Sequence, residues 1–230
     1  MNQAPANVFF ILDTQKAFNM ETFSYLHLPT QVSSVSIALF TKVSNAAQLK
    51  TRLVQVSLLQ GAEGDIEREA VNFAFIDARL TCRSSPCLKI CSLIHLQTAI
   101  YQAILALVQG ALRTKTVHSE ILWSLNPSNN ITEALRRYGV SDTTTSLFVV
   151  RVSSQDSDLQ ERMKAVVSGD LTSFDALASL TDWAAIKKAR RHYYKLNNEL
   201  ALKSTKGDKQ EQLVIEEIVT SSVAMKSVMA

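Results

Sequence analysis

The run from Leu93 to Leu112 constrains this chain more than any other. It is apolar for most of its length, yet His95, Gln97, Gln102 and Gln109 interrupt it. A membrane span requires about 18 or more consecutive apolar residues. The interruptions predict instead a buried amphipathic helix over 92–112, ending near Gly110. Such a helix must be covered by a sheet or by other helices. With 230 residues, 47% of them hydrophobic, the chain can supply that cover within one domain that has a substantial core.

The covering elements are legible in part. VSIALFTKV (35–43), VNFAFIDARL (71–80) and SLFVVRV (146–152) are apolar and rich in β-branched or aromatic residues, as buried strands are. Ser44 is a candidate N-cap for a helix that puts Leu49, Leu53 and Val56 on one face. Gly61 and Gly64 predict a turn. Beyond Asp158 the pattern turns helical, with a turn near Asp170. Residues 197–212 read as a polar loop, and 213–230 as a docking helix with Val214, Ile218, Met225 and Met229 near one face. Irregular alternation with late clustering of helices predicts an α+β single domain, a mixed β-sheet packed against helices.

The stretch KTVHSEILWSLNPSNNITEALRRYGV (115–140) is the most distinctive. Val117–Leu125 is rich in strand formers and is expected as a strand that Pro127 stops. Asn130 with Glu133 makes a start resembling a capping box for a short helix. Ile131, Ala134, Leu135 and Tyr138 share one face of it, and Arg136 and Arg137 the other. Gly139 stands at the stop, where a left-handed residue is expected. A buried Glu120 would need a partner, for which Lys115, Arg136 and Arg137 are candidates; an exposed strand glutamate is the alternative.

Recognisable catalytic chemistry is lacking. No P-loop and no GxGxxG motif occurs. His118, Ser119 and Glu120 resemble a triad in composition, but neighbours along a strand point to opposite faces and cannot converge. Cys82, Cys87, Cys91 and His95 have the spacing C-x4-C-x3-C-x3-H, which admits a zinc site or an irregular reduced loop. With no second half-site, no metal or cofactor is expected. The odd cysteine count, and an N-terminus without a basic n-region, predict a reducing compartment rather than secretion. The net charge of +3, from 24 basic and 21 acidic residues, does not announce nucleic-acid binding. Two local basic groups could: Arg113, Lys115, Arg136 and Arg137; and KKARRHYYK (187–195), whose tyrosines could stack on bases. A solvated helix face is the alternative reading of both.

The stretch 114–140 resembles the signature of the PRPK-binding protein (TPRKB) family. The residues carrying the resemblance are Thr114, Thr116, Glu120, Ile121, Leu122, Leu125, Pro127, Asn129, Asn130, Ile131, Glu133, Ala134, Leu135, Tyr138, Gly139 and Val140. LFTKVSNAAQLK, FIDARL with HLQTAIYQA, and TDWAAIKK extend it over residues 20–230. Residues 1–19, 81–91 and 189–192 look like an extension and two inserts. The resemblance implies a non-catalytic regulatory subunit of the EKC/KEOPS complex that binds its small atypical kinase directly and meets the transferase and remaining subunits through the complex. It further implies support for threonylcarbamoyl-adenosine modification of tRNAs reading codons that begin with adenine, tRNA 3′-end binding, a telomere role, and a nuclear and cytoplasmic location without membrane contact. A stand-alone tRNA-binding module is the alternative. From residue type, Leu125, Pro127, Asn129, Asn130 and Val140 are the expected kinase contacts. Arg113, Lys115, Arg136 and Arg137 are the expected tRNA contacts. Glu120, Glu133 and Gly139 are expected to be structural.

Overall fold

The computed structural model describes residues 20–78, 92–154, 158–176, 196, 199–205 and 207–229. The cysteines, the KKARRHYYK group and the segments 1–19, 81–91 and 189–192 lie outside the described residues.

Two long strands form the centre. β2 (Ser34–Thr41) and β4 (Ser146–Ser153) pair antiparallel over their full length, with Ser34 opposite Ser153 and Thr41 opposite Ser146. β1 (Met20–Ser24) pairs with the first half of β2, and β5 (Asp170–Thr172) with its end. β3 (Ala74–Asp77) pairs with β4 on the far side. Every described pair is antiparallel, so the α+β class holds but the sheet is not mixed.

The sheet is buried on both faces, as the strands' near-continuous apolarity requires. Strand alternation sends Ile37, Leu39, Ile76, Phe148 and Val150 to one side. There they meet α3 (Leu93–Val108), α4 (Val117–Leu125) and the last helix, α8 (Asp208–Met229). Ala38, Phe40, Phe75, Leu147 and Val149 point the other way. They pack on α1 (Ala46–Leu58) and α6 (Leu159–Val166), with α2 (Gly61–Ala70) beside α1. α5 (Ile131–Tyr138) packs on α4, and α7 (Leu200–Lys203) is a short turn before α8. The apolar run forms a helix over 93–108, short of the expected end near Gly110, with one buried face on which Leu96, Ala99, Ile100, Ala103 and Ile104 are fully covered. Among the described residues no helix is long and apolar enough to cross a membrane.

Several local expectations are overturned. Residues 117–125 form a helix, not a strand. Thr116 and Ser119 close a reciprocal capping box at its start, and seven of its nine residues are buried, which erases the helical period from the sequence. Gly61 takes φ +80°, but it opens α2 instead of sitting in an extended turn. The cap of α1 is Asn45, not Ser44. Its side chain reaches across the fold, donating to Val166 O at 2.9 Å and accepting from Ser168 N–H at 3.0 Å. Near Asp170 the chain forms β5 in place of a turn. Within the expected loop 197–212 lie α7 and the first turn of α8, where Asp208 and Glu211 suit the helix N-terminus. α8 does dock, but by Ile215, Val219, Val223 and Lys226. Met225 is half exposed.

His118 joins α4 to the sheet. β3 begins opposite Val150, and beyond that pair Val152 donates its N–H to His118 Nε2 at 3.1 Å. Burial, helped by Arg151, depresses His118 to about 3, and burial alone depresses His95 to about 4. Both are below the ordinary value of about 6.5. Between those values the unfolded chain binds more protons than the folded one, so stability is full above about pH 6.5 and falls as pH drops through that value. The urea midpoint is therefore expected to fall between pH 7 and pH 5. His118→Phe should cost about 1–3 kcal/mol by orphaning the Val152 N–H, and should flatten part of that pH dependence. Equilibrium unfolding of the two proteins across this range checks both.

Candidate partner-binding loop

The site grows from α4. Glu120, in the first turn, is 1% exposed. Its Oε2 accepts from the N–H groups of Arg113 (3.0 Å) and Thr114 (2.8 Å) and from Thr114 Oγ1 (2.7 Å). Backbone donors and one hydroxyl thus hold one oxygen of the buried carboxylate, while Oε1 has no hydrogen-bond partner among the described residues. None of Lys115, Arg136 and Arg137, the expected cationic partners, is the group that holds it. The Thr-x-Thr-x-x-x-Glu spacing has a structural meaning: Thr114 grips the carboxylate while Thr116 caps the helix.

At the other end of α4, Leu125 is fully buried in the core, and Asn126 is fully buried too. Asn126 Nδ2 donates to Ser128 O (3.1 Å), Ser128 Oγ (2.9 Å) and Asn130 O (3.2 Å). Its Oδ1 accepts from Arg137 Nη1 at 3.3 Å. Ser128 Oγ donates to Glu133 Oε2 at 2.5 Å, and Arg137 closes the circuit by pairing with Glu133 Oε1. The Ser128 hydrogen bond and, against some burial, the neighbouring Arg137 hold the Glu133 carboxyl below its usual range. Asn130 Oδ1 accepts from Glu133 N–H at 3.1 Å, the expected N-cap. The loop is a closed polar circuit, with Pro127, Asn129 and Asn130 on its exposed rim.

α5 buries Ala134 and Tyr138 with Ile131 partly covered, while Leu135 is 48% exposed and lies off the expected inner face. Gly139 has φ −72° and ψ 171°, an extended conformation open to any residue. Its requirement is steric rather than left-handed: an added Cβ would press into the Leu135 carbonyl oxygen. Val140 is partly covered against the second core cluster.

The expected contact sets are divided by this geometry. Leu125 has no surface to offer a partner, whereas Pro127, Asn129 and Asn130 do. Arg113, Lys115 and Arg136 are exposed, but Arg137 is turned back onto Glu133 and Asn126 and belongs to the loop's frame. His118, Ser119 and Glu120 have separate partners: His118 takes the Val152 N–H, Ser119 bonds Thr114 and Thr116, and Glu120 holds residues 113–114. Successive helix positions do not face one another, so the three do not converge. No group of three or more metal-ligating side chains occurs among the described residues.

Two contributors escape a reading of the motif alone. Asn126 is one; an asparagine directly before the Pro127 break is its signal. The other is Lys226 of α8, 6% exposed, whose Nζ donates to the carbonyls of Trp123, Asn126 (2.5 Å) and Ser128 (3.1 Å). It also lies 3.7 Å from the centre of the Trp123 ring. Burial lowers Lys226 to about 8, with Glu120 opposing, so it remains a cation at neutral pH. Its spacing from Ile215, Val219 and Val223 marks it as a charge on a buried stripe.

Residues 40–227 match the family model described as kinase binding protein CGI-121. The chain belongs to the CGI-121 kinase-binding family. Among its relatives is the EKC/KEOPS complex subunit CGI121 of Cryptococcus neoformans var. neoformans serotype D (strain JEC21), 33% identical over 245 residues, covering 91% of this chain and 100% of the relative. The subunit of the same name from Gibberella zeae is 32% identical over 220 residues, covering 91% and 99%. That from Aspergillus terreus is 33% identical over 198 residues, covering 84% and 86%. The family match takes in the whole unit from α4 to α5.

Two substitutions test the site's frame. Glu120→Ala leaves two backbone N–H groups and a hydroxyl without their acceptor and is expected to cost about 2–4 kcal/mol. Gly139→Ala forces the backbone at the end of α5 to shift, at about 1–3 kcal/mol. Urea denaturation with far-UV circular dichroism measures both.

Proposed function

We propose that this chain is a non-catalytic subunit of an EKC/KEOPS complex that binds the complex's small kinase, with the rim of the loop 126–130 as part of the contact surface. The closed circuit beneath that rim carries the reading. Asn126, Ser128, Glu133 and Arg137 spend their polar groups on one another, leaving Pro127, Asn129 and Asn130 outward on a fixed frame. A loop ordered before binding loses little conformational freedom on association. Val140 is partly covered and stays among the proposed contacts. The family's kinase-binding description and the relatives' EKC/KEOPS names support the choice of partner.

Through that complex the chain supports threonylcarbamoyl-adenosine modification of tRNA, in the nucleus and cytoplasm, with a telomere role. The exposed Arg113, Lys115 and Arg136 are the residues we assign to tRNA contact, since they are free to neutralise phosphates.

Co-purification with the cognate small kinase is the deciding experiment. The chain is expected to retain the kinase, and Pro127→Glu combined with Asn129→Arg to weaken retention about tenfold or more without lowering the melting temperature. A wild-type chain that never associates would overturn the reading. For tRNA, Lys115→Glu with Arg136→Glu is expected to reduce the slope of log K against log salt by about 1 per lost phosphate contact. Binding with an unchanged slope would remove these residues from the tRNA surface.

A further inference from the structure

We propose that Lys226 is a positioning residue for the partner-facing loop, a clamp by which the last helix sets the shape of residues 126–130. The partner half of this statement rests on the reading above.

Lys226 Nζ carries three protons, and three carbonyls converge on it, those of Trp123, Asn126 and Ser128. The Trp123 and Asn126 carbonyls belong to the C-terminal end of α4, where Trp123 O accepts the Asn126 cap N–H and the negative end of the helix dipole lies. An ammonium there gives both acceptors a charged donor and meets the dipole at once. The Trp123 ring adds its face at 3.7 Å. With Lys226 nearly buried, the arrangement is reciprocal. Without the loop's carbonyls a buried cation has no acceptors; without the cation the Asn126 carbonyl loses its donor, and those of Trp123 and Ser128 keep only the Asn126 N–H and Nδ2.

The geometry bears on the rim directly. The carbonyls of Asn126 and Ser128 are drawn inward, and the residues alternating with them, Pro127 and Asn129, are exposed, as is Asn130. The loop's side-chain circuit is local, spanning Asn126 to Arg137, whereas the clamp arrives from about a hundred positions away in sequence. α8 docks chiefly on α3 through Ile215, Val219 and Val223, so the seat of that helix is transmitted to the loop through one ammonium. The partner surface is complete only when the C-terminal helix is in place.

The test uses the full chain with Lys226→Met, which keeps the aliphatic stem and removes the ammonium, and Lys226→Arg, which keeps a cation. Hydrogen exchange followed by mass spectrometry is expected to show residues 126–133 exchanging at least tenfold faster in K226M, with β2 and β4 changed much less and K226R nearer to wild type. Equal acceleration in loop and sheet, or none in the loop, would overturn the clamp. In the kinase arm, K226M is expected to dissociate about tenfold faster, with K226R restoring much of the lifetime. A loosened loop with unchanged kinase affinity would overturn the positioning role in partner binding. Failure of the wild-type chain to bind the kinase would sink the proposed function, while the exchange result would still decide the clamp.

Discussion

β4 outruns β3, and the fold around the site depends on how that mismatch is covered. Beyond Val150 the strand pairs with no other strand on its β3 side among the described residues, yet it lies in the interior, where a backbone N–H without an acceptor costs free energy. His118 supplies the acceptor from α4. The bond requires a neutral imidazole, which burial enforces. It fixes α4 against the sheet, and α4 in turn determines where the chain before it and the loop after it can lie.

Each end of α4 then solves a separate electrostatic problem. At the first turn, a buried carboxylate gathers the backbone N–H groups of residues 113 and 114. At the last turn, a buried ammonium gathers carbonyls. Negative charge at the N-terminal end and positive charge at the C-terminal end both follow the helix dipole. The two charges also favour one another across the helix, as the effect of Glu120 on Lys226 indicates. This nine-residue helix is therefore held in a single seat, and the loop between α4 and α5 inherits that fixity.

Such construction suits recognition. The polar side chains that sequence inspection would nominate for chemistry are committed to backbone groups or to each other. What remains outward is a short rim of proline and asparagine and a few separate cations. That division agrees with membership of a family described by the partner it binds.

Much of this was determined by the sequence alone. The central strands, the helix over 93–108, the Asn130 cap and the need of Glu120 for partners follow from apolar runs, side-chain chemistry and spacing, all of which act over a few residues. The family, too, was legible in the 114–140 motif. Other features belong to tertiary structure. Residues 117–125 carry strand-forming side chains and are buried nearly all round, so neither propensity nor period could choose the helix; packing against α3 and the bond to Val152 chose it. Gly139 is required by a neighbouring carbonyl rather than by its own dihedral angles. The docking face of α8 was displaced by one position, because a lysine reads as solvent-facing until three carbonyls are brought to it from a hundred residues away. Local sequence specifies what each group needs, but which distant group meets that need is decided only when the layers close.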